Sequence, residues 1–229
     1  MDILETYDNY IRDKAKQDNG WLRASSAGRC FKLQQYNLSD KTPEPFTDRT
    51  LRLFRLGDLV HQDIQASIDL VQSMKSSIAQ SHVSIEKEIT ISEFGVKGHI
   101  DMVVFCKEVT EIYDIKTCSS YKWSKTFGHK KNRDENSDVN YKLQLGTYGL
   151  GLTASLMSKP IELYLLWYNK NNSHVKKVSV SNEWMTKAGN YWQALQETLK
   201  DDLEKGDLNC PVSDWECKYC QYSKYCEGE

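Results

Sequence analysis

The stretch EIYDIKTCSS, Glu111–Ser120, sets two charged residues inside what otherwise reads as a buried strand. Ile112, Tyr113 and Ile115 are strong strand formers, and the segment closes in small polar residues that signal a turn. Asp114 and Lys116 lie two apart, so on a strand their side chains leave the same face. Burying either one costs several kcal/mol unless it is paired or neutralised. A structural ion pair or a wet edge strand would account for them; so would a strand end that opens into a site. The flanking sequence decides.

The preceding segment, VKGHIDMVVF (96–105), is a second apolar strand, interrupted by Asp101 and carrying Gly98, which relieves crowding where another element comes close. If the strands over 96–105 and 109–116 pair, Asp101 and Asp114 converge at one end of the sheet. Two acids and a lysine gathered there call for a counter-ion, which a divalent cation held by oxygen ligands supplies.

Working outward, the pattern predicts helices over 2–16, from about Ser25 through Cys30 with the hydroxyl as a cap, and over 51–74. The last has apolar residues at helical spacing and includes GDLVHQDI with His61. Strands are predicted over 83–91, 96–105 and 109–116, with a tight turn at 93–95. A polar loop of about twenty residues comes next. From Lys116 to Lys142 the chain has seven Lys or Arg against three Asp or Glu, including HKKNR at 129–133. Such a run is usually a solvated loop and taken alone does not mark a nucleic-acid channel; Lys130 and Lys131 either track phosphates or are solvated bystanders. A helix over 139–156, strands ELYLLWYN and HVKKVSVS, and a helix over 182–205 complete the order. Helix, three strands, helix, strand makes a mixed α/β core with a central meander, unlike the regular alternation of a doubly wound sheet.

The 229 residues carry a net charge of −2 and 27% charged side chains, which excludes a uniformly basic coat. No apolar run approaches the ~20 residues of a membrane span. The amphipathic N-terminus, MDILETYDNYIRDKAKQD, lacks the basic and apolar regions of a secretory leader, so a cytoplasmic location is expected. Seven cysteines, an odd number, argue against a disulfide framework there. Cys210, Cys217, Cys220 and Cys226 crowd the last twenty residues, and the Cys-x2-Cys pair suits two thiolates on one metal.

Together these residues resemble the PD-(D/E)XK nuclease core in its RecB-like branch. Gly98-x-x-Asp101 and Asp114-x-Lys116 match the core, and His61 follows Gly57 on the upstream helix. Gln144 and Tyr148 match the branch's Gln-x-x-x-Tyr motif, and four apart they share one helical face. Cys30 with Cys217, Cys220 and Cys226 is similar to the iron–sulfur staple of the AddB-type nuclease domains and the CRISPR-associated four-cysteine exonucleases. The resemblance implies a mixed central sheet flanked by helices, with a cysteine-ligated staple joining the chain ends. It implies one nuclease domain over 1–229: an N-terminal helical segment (1–50), a catalytic core (51–181), and a C-terminal helix with the cysteine cluster (182–229).

It further implies a DNA exonuclease, with single strands favoured, acting in replication, recombination or CRISPR adaptation, either as a phage-encoded stand-alone enzyme or as a CRISPR-adaptation nuclease. Asp101, Asp114, His61 and the Ile115 carbonyl would hold Mg²⁺ or Mn²⁺, the histidine favouring Mn²⁺. Lys116, Gln144 and Tyr148 would serve catalysis. Cys30, Cys217, Cys220 and Cys226 would bind a [4Fe–4S] cluster, with zinc as the alternative metal and Cys210 as the alternative fourth ligand. DNA is the implied partner. With no Walker-type phosphate loop, helicase action would need a partner protein. A catalytically inactive DNA-binding module and a zinc-knuckle interaction protein are the competing functions.

Overall fold

The computed structural model describes residues 2–14, 21–74, 81–153, 159–200 and 214–226. Elements follow the order α1 (Ile3–Lys14), β1 (Leu22–Arg23), α2 (Phe31–Leu38), α3 (Asp48–Met74), β2 (His82–Ile91), β3 (Val96–Phe105) and β4 (Thr110–Cys118). Then come α4 (Ser120–Phe127), α5 (Val139–Thr153), β5 (Ile161–Asn169), β6 (Val175–Val180), α6 (Glu183–Lys200), α7 (Asp214–Cys217) and α8 (Ser223–Cys226).

The strands form one mixed six-stranded sheet ordered β1-β3-β4-β5-β6, with β2 also paired to β3. The meander is as expected: β2, β3 and β4 are antiparallel neighbours. β4 and β5 run parallel, joined by a crossover that contains α4 and α5, and β6 returns antiparallel. β5 alternates as a strand with one covered face should, burying Ile161, Leu163, Leu165, Trp167 and Asn169 while the residues between them stay more open. The core lies between that face and helices α5 and α6, centred on Ile100, Ile112, Leu145, Trp167 and Trp192. Gly146 permits the close α5–α6 approach, because a Cβ there would fall 2.1 Å from the Trp184 carbonyl oxygen.

One irregularity of the sheet makes room for a site. β3 uses one edge for β2 and must share the other, since β1 pairs only with Val96 and Lys97 and β4 only with Met102 to Phe105. Between those two partners the edge of β3 is open, and Asp101 sits at the point where β4 departs.

Some local expectations need correction. The sequence around Ser25 is a short 3₁₀ turn (Ala24–Ser26), and Cys30 is the N-cap of α2 rather than a residue inside a helix. Part of the presumed polar loop is α4, whose first turn is capped by Ser119 accepting the Lys122 N–H. Among the described residues the C-terminal segment meets the N-terminal one through hydrogen bonds and ring contacts. Glu44 N–H donates to the Gln221 carbonyl at 2.8 Å, and Tyr36 packs against Tyr222 and Tyr225. Among the described residues no helix is long and apolar enough to cross a membrane.

Candidate active site

Strands β3 and β4 and helices α3 and α5 bring the candidate side chains into two linked groups. The first is built on β4. Asp114, 1% exposed, faces Lys116 as the strand period requires, with Lys116 Nζ 2.9 Å from Oδ1 and 2.8 Å from Oδ2. Lys116 also donates to Gln144 Oε1 at 2.9 Å, and Gln144 Nε2 donates to Asp114 Oδ1 at 3.1 Å and to the Tyr148 hydroxyl at 2.7 Å. Gln144 and Tyr148 stand one helical turn apart on α5, so one face of that helix closes a ring of contacts over Asp114. The Tyr141 ring, one turn earlier, lies 5.2 Å from Lys116 Nζ.

The second group is built on β3. Asp101 Oδ2 accepts the Ile115 N–H at 2.5 Å, so a side chain replaces the backbone partner where the strands part. His61 Nδ1 from α3 lies 3.6 Å from the same oxygen. Gly98 is required nearby, because a Cβ there would come within 2.7 Å of the Ala24 Cβ and 3.1 Å of the Tyr148 ring. All of His61, Asp101, Asp114, Ile115, Lys116, Gln144 and Tyr148 therefore fall in one region. The structure adds two residues that the sequence reading did not single out, Gln65 and Glu86. Gln65 Nε2 lies 3.1 Å from the Asp101 carbonyl oxygen and 2.6 Å from Glu86 Oε1. Gln65 could have been found as the residue one helical turn beyond His61; nothing in the sequence marks Glu86.

Burial, opposed by Lys116 and reinforced by Asp101, pushes the Asp114 carboxyl up to about 6. Burial works against the Lys116 ammonium too, yet Asp114 and Asp101 outweigh it and hold the lysine above its usual range. For His61 burial favours the neutral ring, but the Asp101 carboxylate prevails and raises it. Tyr148 is driven well up, first by burial and then by Asp114 and Asp101, which keeps its hydroxyl neutral. The site thus carries excess negative potential that one lysine does not cancel.

Among the described residues, no group of three or more His, Cys, Asp or Glu side chains stands close enough to hold a metal ion by itself. The donor set nevertheless fits a hard divalent cation. Asp114 Oδ2 is buried with the Lys116 ammonium 2.8 Å away, which leaves lone-pair capacity on the oxygen for a second partner. A buried carboxylate with spare lone pairs beside a second acid and an imidazole is the chemistry such a cation takes up. Among the described residues the cysteines form no comparable cage. Cys217, Cys220 and Cys226 are free thiols, Cys30 is disulfide-bonded, and Cys210 lies outside the described residues. The contacts between the segments run beside them: Arg29 Nη1 lies 3.3 Å from Glu216 Oε1, and Asn140 donates to that oxygen at 3.0 Å. Lys130 and Lys131 are exposed, and Lys130 lines an open cleft with Phe127, Gly128, His129 and Arg133 that includes none of the site residues.

A mixed sheet with an acid on one strand, Asp-x-Lys on the next, and a helix closing over both defines the restriction-endonuclease-like class of nucleases. The chain belongs to the PD-(D/E)XK nuclease superfamily, whose sequence profile matches residues 56–227. Among solved structures it is similar to SSO0001, with a TM-score of 0.57 and 17% identity over 99% of this chain and 96% of that one, a likeness of fold. A more distant match is an alkaline exonuclease, LHK-Exo, from Laribacter hongkongensis, at a TM-score of 0.41 and 12% identity over 84% of this chain and 92% of the other. No curated protein matches.

Proposed function

We propose that the chain is a metal-dependent DNA exonuclease, and that one observation carries the reading. A buried aspartate, ion-paired to a lysine that a glutamine also holds, stands where a second aspartate meets the next strand. Asp101, Asp114 and His61 would hold Mn²⁺ or Mg²⁺, with the Ile115 carbonyl added by resemblance to the superfamily. When bound, the cation supplies charge for the scissile phosphate and lowers the pKa of a water.

The remaining work falls to the chain's own side chains. Lys116, anchored on two sides, presents an ammonium of fixed direction to the charge that develops on the phosphate. Gln144 holds Lys116 and Asp114 in register. Tyr148 is 3% exposed and its hydroxyl accepts a hydrogen bond from Gln144, which supports a positioning role in preference to a contact with DNA. Exposed Lys130 and Lys131 supply phosphate contacts. In the same reading single-stranded ends are the preferred substrate, in recombination, replication or CRISPR adaptation, as the RecB-like motifs imply.

We also retain the iron–sulfur staple as a proposal, which requires Cys30 to be reduced. Its support is that Glu216, next to Cys217, reaches Arg29, next to Cys30.

The end requirement is tested with labelled linear and covalently closed circular single strands in Mn²⁺. The expected result is degradation of the linear strand alone; equal cutting of both would overturn the exonuclease assignment.

A further inference from the structure

The β2–β3 ladder pairs His82 through Ile85 with Phe105 through Met102, then resumes at Lys87 opposite Ile100 with no change of register. The step left out is Glu86 opposite Asp101. Glu86 has φ +51°, in the left-handed region that a strand glutamate occupies only at a cost of about 1 kcal/mol or more. Backbone strain of this kind persists where surrounding contacts hold it. Here the contact is Gln65, 7% exposed, whose single amide nitrogen reaches Glu86 Oε1 and the Asp101 carbonyl oxygen. Gln65 and His61 are one turn apart on α3, so the same helix face presents the imidazole to the Asp101 carboxylate and the amide to its backbone.

We propose that Gln65 and Glu86 form a latch that positions Asp101. The amide satisfies the carbonyl of Asp101 where the ladder is broken and pins the turn in β2, leaving the Asp101 side chain to take the Ile115 N–H and face His61. Gln65 is a positioning residue, and Glu86 acts as its hydrogen-bond acceptor, so charge at position 86 is not required. The proposal deepens the metal-site reading and rests on it for its effect on activity.

Two readouts separate the latch from that reading. In metal-free protein, amide exchange at Ile115 reports the bond to Asp101 directly, with Leu165 on β5 as the reference. Gln65→Leu and Glu86→Ala should accelerate exchange at Ile115 about tenfold with Leu165 unchanged, and Glu86→Gln, which keeps an acceptor oxygen, should match wild type. By calorimetry the first two variants should bind Mn²⁺ about tenfold or more weakly, the usual consequence of losing a residue that orients a ligand. Saturating Mn²⁺ should then restore much of their cleavage. Unchanged Ile115 exchange in both Gln65→Leu and Glu86→Ala would overturn the latch, as would equal acceleration at Leu165. A Glu86→Gln variant as impaired as Glu86→Ala would show that the carboxylate charge matters and overturn it equally. Wild-type protein that binds no Mn²⁺ while the exchange pattern holds would overturn the metal reading and leave the latch standing.

Discussion

Burial of Asp114 has a consequence for stability that runs opposite to that of an ordinary salt-bridged carboxylate. Its pKa is raised in the folded chain, from 3.8 to about 6, so the native state binds this proton more tightly than the unfolded state does. The contribution is fully present below pH 3.8 and is lost as pH rises through about 6. Two pKa units correspond to about 3 kcal/mol, or on the order of 6–12 °C in Tm for a chain of this size. The reference is the double variant Asp114→Asn/Lys116→Met, which removes both buried charges together and avoids stranding one of them. Metal-free wild type and double variant should be melted in parallel from about pH 4 to about pH 7.5, a range that brackets the raised pKa. The stability of wild type relative to the variant should fall across that window. Mn²⁺ at the upper end of the window should recover the loss in wild type and leave the variant unmoved, because binding to the native state alone stabilises by mass action. A relative stability that is flat or rises with pH would refute the argument.

Other expectations come from single contacts. Lys116→Met should reduce cleavage by a hundredfold or more (about 3 kcal/mol of lost charge stabilisation), read as kcat with substrate binding little changed. Gly146→Ala should destabilise by about 1–3 kcal/mol, because its methyl group meets the Trp184 backbone rather than a mobile side chain, and a melting curve at constant activity per folded molecule would check this. Under anaerobic reducing purification, Cys30→Ser should bleach the visible absorbance of an iron–sulfur centre and lower Tm, while Cys210→Ser should do neither; a colourless zinc-loaded wild type would reject the iron assignment.

Much of the geometry of this candidate site was legible because it depends on short-range periodicity. Asp114 and Lys116 share a face by the strand period, Gln144 and Tyr148 by the helix period, and β3 was bounded correctly because its apolar run ends in Gly95 on one side and polar residues on the other. What was not legible depends on distant partners. β1 has two residues and exists only because Val96 and Lys97 pair with it. α4 was hidden by its lysines and serines, although Trp123 and Phe127 at i and i+4 pack against one another. The Asp101–Ile115 contact and the left-handed Glu86 arise where β3 and β4 separate, which no local pattern encodes.

The proposed chemistry stands or falls on Asp101 and Asp114 jointly holding a divalent cation that the nuclease reaction requires. Its most direct test is Mn²⁺ titration of end-labelled single-stranded DNA cleavage by wild type, Asp101→Ala and Asp114→Ala, with Mn²⁺ binding followed calorimetrically on the same samples. Saturable activation of wild type that EDTA reverses, with both variants inactive and unable to bind Mn²⁺ at the site while still folded, is the predicted result. Near-normal cleavage by folded Asp114→Ala, or wild-type cleavage that persists in EDTA, would contradict it.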